Sequence, residues 1–426
     1  MKILYLGYVW PEPASSAAGG RTLEIVRAFR HAGWQVLYAS AAALSPHRFP
    51  LHDIGIEERS IQVNDDGFDE LLISYQPDIV VFDRFFTEEQ FGWRVERHCP
   101  QALKVLDTCD LHSLREARQL LLKTQLSHPH AIWQVPSRPQ TIASMRSLDT
   151  TLRELAAIYR CDLSLLISDV EYDILLADFG LPSPILQVNR LLMTKDDSRG
   201  VPQYEERQNF ISIGNFRHEP NWDAVLWLKQ SIWPAIRALL PQAQLHVYGA
   251  YPPPKATQLH QAREGFHVLG WAEDAQAVMR QARVCLAPLR FGAGIKGKLA
   301  DAMCAGTPSV TTSIGAEGMQ LDLPWGGAIA DTVEEFADAA VELYYNPEQW
   351  QDAQLKGQII ADRLFQARSD RDLLISTIQK LKENLTQHRA GNFVGAMLRH
   401  HSMKSSQYMS QWITLKNRIA RENSDI

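Results

Sequence analysis

The stretch from Val284 to Met319, VCLAPLRFGAGIKGKLADAMCAGTPSVTTSIGAEGM, gathers the residue types that can hold an anion. Its apolar run from Val284 to Leu289 reads as a buried strand, followed by a glycine- and lysine-rich turn from Arg290 to Lys298. A helix ending at Gly306, a second strand (Ser309 to Thr312) and a glycine-rich loop carrying Glu317 complete the pattern. The first N–H groups of a helix have no intrahelical partner and point at whatever lies over the turn. A phosphate is the natural occupant. Gly292 and Gly294 would shape such a turn, and Lys296 and Lys298 would reach the same anion.

Three other places carry chemistry. Gly19 and Gly20, followed by Arg21, open a helix after the first strand and form a second candidate anion cradle; a plain turn needing positive φ explains a glycine pair equally well. In IGNFRHEPN a strand again runs into a glycine turn and a helix, with Arg217 and His218 on the turn. The segment DTCDLHSLR packs Asp107, Asp110, His112 and Arg115 into nine residues at the end of a strand. A histidine beside carboxylates is suited to proton or hydrogen-bond work. The bland alternative is that Asp110 caps a helix starting near Leu111 and His112 lies on its wet face.

The elements that must position these residues follow from periodicity. Lys2 to Gly7, Gln35 to Ala39, Ile79 to Phe82, Lys104 to Asp107 and Cys161 to Ile167 are apolar runs of strand length, separated by helical patterns such as Gly19 to His31, Phe68 to Tyr75 and Glu88 to His98. Glu171 and Asp173 then read as capping and solvating a helix. Asn209 to Ile213, Leu245 to Tyr248, Phe266 to Leu269, Val284 to Leu289, Ser309 to Thr312 and Ala328 to Ala330 are the strands of a second set, and Pro234 should kink the helix from Trp222 to Leu239. Alternating strands and helices imply parallel sheets with helices on both faces, whose ligands bind beyond the carboxyl ends of the strands. The expected fold is α/β, two doubly wound Rossmann-like domains facing a cleft, with C-terminal helices. The expected divisions are 1–192, a linker at 193–208 where apolar periodicity is lost, 209–365, and helices over 366–426, for which a crossing back to the first domain is one option.

Composition bounds the function. A chain of 426 residues is too long for one ordinary core. A net charge of -6 gives no global attraction to nucleic acid, so any anion site must be local. Five widely spaced cysteines without a Cys-x-x-Cys pair read as reduced thiols of a cytoplasmic protein. The N-terminal MKILYLGYVWPEP reads as a first strand rather than a signal peptide, and no apolar run is long enough to span a membrane. From Arg389 to Ile426 six Lys/Arg stand against two Asp/Glu, with Trp412 among them. Such a tail can touch an acidic lipid surface at the inner membrane face, although a solvated or domain-crossing helix is the commoner case.

Two motif readings of the central turn fail on single residues. Gly292 to Gly297 matches the dinucleotide fingerprint G-x-G-x-x-G, but the acid that follows, Glu317, sits past its strand in a loop. The spacing Gly292 to Lys298 is one residue from a P-loop, with Leu299 where a magnesium-holding hydroxyl must stand. The whole stretch, with GAGIKGKLADAMCAGTP at its centre, resembles the retaining GT-B-type glycosyltransferases of family 4 (glycosyl transferases group 1). The similarity extends through IGNFRHEPNWDAV, the Gly19-Gly20 loop and DLHSLR.

That resemblance implies a glycosyltransferase moving a sugar from a nucleotide-diphosphate sugar to an acceptor held mainly by the first domain: a glycan, a lipid-linked glycan or a small molecule. It implies His112 and Asp110 near the reacting sugar. The family's donor-site glutamate pair falls on Ala293 and Asp301 here, and Glu317 is a candidate substitute for the first. Asn215 stands where arginine is frequent, which leaves Arg217, Lys296 and Lys298 as the cations for the diphosphate. A leaving diphosphate needs metal ions or fixed cations and helix dipoles. The one Asp-x-Asp, Asp370-Arg371-Asp372, lies in a late helical segment, so the expectation is a metal-independent reaction without a cofactor. A nucleotide-sugar epimerase of the same fold and a non-catalytic nucleotide or glycan binder are the alternatives.

Overall fold

The computed structural model describes residues 1–127, 132–190, 200–364 and 367–424. The first sheet comprises β1 (Lys2–Gly7), β2 (Gln35–Ser40), β3 (Glu57–Ser60), β4 (Ile79–Asp83), β5 (Leu103–Asp107), β6 (Leu163–Leu166) and β7 (Leu186–Val188), in the order β3-β2-β1-β4-β5-β6-β7. The second comprises β8 (Gln208–Ile213), β9 (Leu245–Tyr248), β10 (Phe266–Gly270), β11 (Ala282–Ala287), β12 (Ser309–Thr311) and β13 (Gly327–Ile329), in the order β10-β9-β8-β11-β12-β13. Every pairing between these strands is parallel. In both sheets the order reverses once, between β1 and β4 and between β8 and β11. Those two crevices are where such sheets take ligands.

Helices cover both faces. On the first sheet these are α1 (Ala17–His31), α2 (Gly67–Tyr75), α3 (Phe85–His98), α4 (His112–Leu126), α5 (Arg138–Arg146), α6 (Asp149–Arg160) and α7 (Asp169–Asp173). On the second they are α8 (Glu219–Trp227), α9 (Trp233–Leu239), α10 (Pro254–Thr257), α11 (Ala275–Gln281), α12 (Gly297–Cys304), α13 (Ser313–Ala316), α14 (Val333–Tyr345) and α15 (Pro347–Leu364). The apolar strands separate by parity, as the two-residue repeat of a strand demands. Leu4, Leu6, Val80, Phe82 and Leu106 pack into one core with α4 and α6, whereas Ile3, Tyr5, Ile79, Val81 and Val105 pack into another with α1. Truncating Phe82, which is fully buried, should cost about 3–5 kcal/mol.

The chain then returns to the first domain. Leu374 and Ile378 of α16 (Ala367–Glu383) join the core that holds Phe29 of α1, α17 (Leu385–Ala390) follows, and α18 (Phe393–Ser424) packs on α3 and α6. The expected linker lies partly outside the described residues, which omit 191–199. Its remainder runs along the second sheet, where the Pro202 carbonyl accepts from Arg207 Nε at 3.0 Å.

Local details depart from the sequence expectation for physical reasons. β3 (EERS) and β7 (LQV) are short edge strands whose polar or brief sequences carry little periodicity, and charge on an edge is what keeps it from pairing further. The helix expected from Trp222 to Leu239 is interrupted by a wide π-type turn at Leu228–Ile232, immediately before Trp233-Pro234. Pro234 has no N–H to donate, and the wider turn absorbs the missing bond.

Candidate active site

The carboxyl ends of β8 and β11 form the wall expected to take the anion. α12 begins at Gly297 with Lys296 as its N-cap residue, and no side chain caps it, so its first N–H groups face outward. Lys298, in the first turn, reaches across the crevice: its Nζ donates to Asn221 Oδ1 at 2.7 Å, and Asn221 Nδ2 donates to the Asn215 carbonyl at 3.0 Å. A Cβ on Gly214 would stand 2.9 Å from the Lys298 ammonium, so the glycine of the β8 turn is what admits the lysine. Burial pushes Lys298 down to about 8. Lys296 is also pushed to about 8 by burial, with Glu317 supporting its charge and Arg118 opposing it. Its Nζ donates to the Gly294 carbonyl at 2.8 Å and the Glu317 carbonyl at 3.4 Å, tying the loop into shape.

The first domain closes over this wall. Gly297, the first residue of α12, lies against Ala17, the first of α1: a Cβ there would be 2.5 Å from that of Ala17. The first residues of two helices therefore touch, and an anion seated beside that contact would meet the positive end of each. Gly19 sits against the Glu12 backbone, so its glycine is required by a close approach within the α1 loop, whereas Gly20 has open space where a Cβ would be. Gly294 has φ 63° and comes within 3.0 Å of both Asp110 Cβ and Ile167 Cγ2 when given a Cβ. That φ and that contact both exclude a side chain.

Asp110 and His112 stand on the facing wall. His112 Nε2 lies 3.4 Å from Asp110 Oδ1, and Arg115 pairs with the other carboxylate oxygen. Burial opposes ionisation of Asp110, but Arg115 and then His112 overcome it and hold the carboxyl below the usual range. Burial, with Arg115 and Arg84 adding to it against the pull of Asp110, drives His112 down to about 3, so its imidazole is neutral near neutral pH. The ring meets Phe85 and Phe86 edge-on at 5.7 and 4.9 Å. Asp110 does not cap α4. That helix N-terminus is filled by carboxylates from elsewhere: Glu171 accepts from Leu111 N at 2.8 Å, and Glu154 from His112 N at 2.8 Å and Ser113 N at 3.1 Å. Burial raises Glu154 to about 7 and Glu171 to about 8. The expectation that Glu171 serves its own helix is thus corrected: Ser168 caps α7, and Glu171 is buried under α4.

The remaining predicted residues are dispersed. Asp301, one helical turn beyond Lys298 on α12, accepts from Gln276 Nε2 at 2.9 Å and is raised by burial to about 6, which the Gln276 bond moderates. Arg217 is turned outward over the Tyr251 ring, 3.6 Å from its centroid, at the mouth of the cleft. Its neighbour His218 is held down to about 4, first by desolvation and then by Arg115 and Lys298 against the pull of Asp110.

Glu317 is held by a residue the sequence did not single out. Arg118 of α4 makes a bidentate pair with it at 2.8 and 2.7 Å and donates a third bond to the Gly292 carbonyl at 2.8 Å. Burial works against the Glu317 charge, but Arg118 outweighs it and keeps the carboxyl below its ordinary value. Ala293, beside this pair, packs against the core of the first domain. A carboxylate there would be buried near Asp110. No local signal pairs Arg118 with a glutamate 199 residues away. Of the Asp-x-Asp segment, Arg371 lies 3.4 Å from Glu24 on α1.

Residues 207–346, most of the second domain, match the family model for glycosyl transferases group 1. Solved structures align with nearly the whole chain. Anabaena Alr3699/HepE in complex with UDP and glucose has a TM-score of 0.65 at 13% identity, covering 89% of this chain and 99% of that one. The fold is GT-B. Two further GT-B structures are similar: sucrose-phosphate synthase from Thermosynechococcus elongatus (TM-score 0.63, 14% identity, 89% and 99% covered) and a glycosyltransferase from Rickettsia africae ESF-5 (TM-score 0.63, 11% identity, 90% and 99% covered). No curated protein sequence matches. In GT-B terms, the crevice with Lys296 and Lys298 belongs to the second domain, and Asp110 and His112 to the first.

Proposed function

We propose that this chain is a glycosyltransferase that takes a sugar from a nucleotide-diphosphate sugar and attaches it to an acceptor bound by the first domain. One observation carries the reading. The uncapped N-terminus of α12 meets that of α1, and two lysines flank the α12 start, so positive potential converges on one point of a closed cleft. Breaking the sugar–phosphate bond leaves negative charge on the departing diphosphate, and fixed dipoles and cations placed there stabilise it as it develops. The similar Anabaena protein binds UDP and UDP-glucose, which supports a nucleotide diphosphate as the leaving group.

In this proposal Lys298 and the α12 amides receive the diphosphate, Asp301 reads the nucleotide side, and Lys296 adds its charge while keeping the loop in register. The neutral His112, braced by Asp110 and flanked by Phe85 and Phe86, lies on the acceptor side and exchanges hydrogen bonds with hydroxyls. Retention of anomeric configuration, metal independence, a cytoplasmic setting and a hexose donor belong to the same proposal. The acceptor is a glycan, a lipid-linked glycan or a small molecule. Incubation with a panel of nucleotide sugars and acceptor extracts in EDTA should release nucleoside diphosphate and yield a glycosylated product. Loss of all turnover with chelator would refute the metal-free step. Ala293 favours a second reading, a non-catalytic binder: tight nucleotide binding with no turnover of any donor would establish it.

A further inference from the structure

α18 turns an apolar stripe away from the protein. Phe393, Met397, Tyr408, Trp412, Leu415 and Ile419 are 72%, 45%, 65%, 60%, 55% and 49% exposed. At about 100° per residue they fall within an arc of roughly 100°, over a length of about 40 Å. The rest of the helix is anchored. Asn392, just before it, bonds the Tyr159 carbonyl at 2.8 Å, Ser410 is buried, Thr414 bonds the Asn64 carbonyl at 2.9 Å and Arg418 pairs with Asp66 at 2.8 Å. The stripe is thus held outward rather than left over from a loose tail. Apolar side chains exposed in two clusters along one helix face, Phe393 with Met397 and Tyr408 to Ile419, mark an interaction surface.

Charge identifies what covers it. Residues 393–420 contain Arg399, Lys404, Lys416 and Arg418 and no Asp or Glu, in a chain whose net charge is -6. Arg399 and Arg418 are engaged with the first domain, but Lys404 and Lys416 are exposed, Lys416 with its Nζ 5.4 Å from the Trp412 ring centroid. Apolar side chains, a tyrosine and a tryptophan on one face, with Lys404 among them, Lys416 at the edge and no acids, are the composition of a helix lying in the plane of an anionic membrane. A second copy of the chain fits less well. Between Met397 and Tyr408 the face carries Lys404 rather than an apolar residue, which leaves Tyr408, Trp412, Leu415 and Ile419 as a seam of under two heptads, too short for a coiled coil, and pairing would set cation against cation. No helix among the described residues is long and apolar enough to cross a membrane.

We propose that the outer face of α18 docks this protein on an anionic lipid surface, with the aromatic and aliphatic stripe in the headgroup region and Lys404 and Lys416 against lipid phosphates. This inference stands apart from the glycosyl-transfer reading, although it bears on it. α3 and α6, on which α18 packs, also carry Phe85 and Phe86 beside His112 and Glu154 beneath it, so docking would hold the acceptor-side domain at the membrane.

Flotation with vesicles tests it. The full chain should float with vesicles of phosphatidylcholine mixed with phosphatidylglycerol and remain behind with phosphatidylcholine alone. A W412S/L415S/I419S variant and a K404E/K416E variant should each bind at least about tenfold more weakly with unchanged thermal melts. Failure of the unaltered chain to bind anionic vesicles, or undiminished binding by both variants, would overturn the proposal. So would sedimentation showing a dimer that the triple variant converts to monomer, since the stripe would then be a protein interface.

Discussion

Replacing Lys298 by methionine separates a functional charge from a structural one. Burial lowers this ammonium from 10.5 to about 8, so keeping it protonated near neutral pH costs the fold roughly 3 kcal/mol. Methionine has similar length and no charge, and removes that cost. Against this, Asn221 Oδ1 loses its 2.7 Å donor, a penalty of about 1–3 kcal/mol. The two effects nearly cancel, and the variant should melt within a few degrees of the parent. Turnover should not survive so well. If Lys298 meets the departing diphosphate, its loss should lower kcat about 100-fold or more. The assay is nucleoside diphosphate release from the best donor, with calorimetric melting in parallel. A variant that keeps kcat within about threefold would refute the anion role, because a removed oxyanion contact should cost far more. One destabilised by several kcal/mol would show that the lysine is there for the β8 turn.

Other consequences follow from the same geometry. Lys296 and Lys298 are both lowered to about 8, and a bound diphosphate favours their charged forms, so nucleotide affinity should be flat below pH 8 and fall above it. The decline should approach about tenfold per pH unit for each lysine engaged. Stability should respond with the opposite sign: between pH 8 and 10.5 the unfolded chain holds more protons on these lysines than the folded one, so their contribution improves as pH rises. Calorimetric titration and melting across that range would separate the two trends; affinity independent of pH would count against both lysines. Arg118→Met strips Glu317 of its partner and releases the Gly292 carbonyl, weakening the closed arrangement by about 3 kcal/mol. Small-angle scattering should then show a larger radius of gyration, and an unchanged profile would refute the clamp. Ala293→Glu would bury a carboxylate against the core of the first domain near Asp110, so it should lower the melting temperature and fail to raise activity. A gain in turnover would mean that the cleft opens enough for a carboxylate to serve the donor.

What the sequence alone determined is what lies close along the chain. The continuous apolar runs of Lys2 to Gly7 and Ile79 to Phe82 and the strand–turn–helix passages at Gly214 and at Gly292 to Gly297 yield two parallel-sheet domains without reference to any contact. They also mark the α12 start as a candidate anion site, because an uncapped helix N-terminus is a local property of its backbone. Only the tertiary structure decided which side chains surround it. It turned Arg217 onto Tyr251, sent Lys298 to Asn221, placed Ala17 against Gly297, and gave the start of α4 to Glu154 and Glu171 rather than to Asp110. It also paired Arg118 with Glu317 and brought α16 to α18 back onto the first domain. These joins connect residues tens to hundreds of positions apart, where burial and charge pairing select the partner. Periodicity, which reports one element's own faces, is silent about which other element each face will meet.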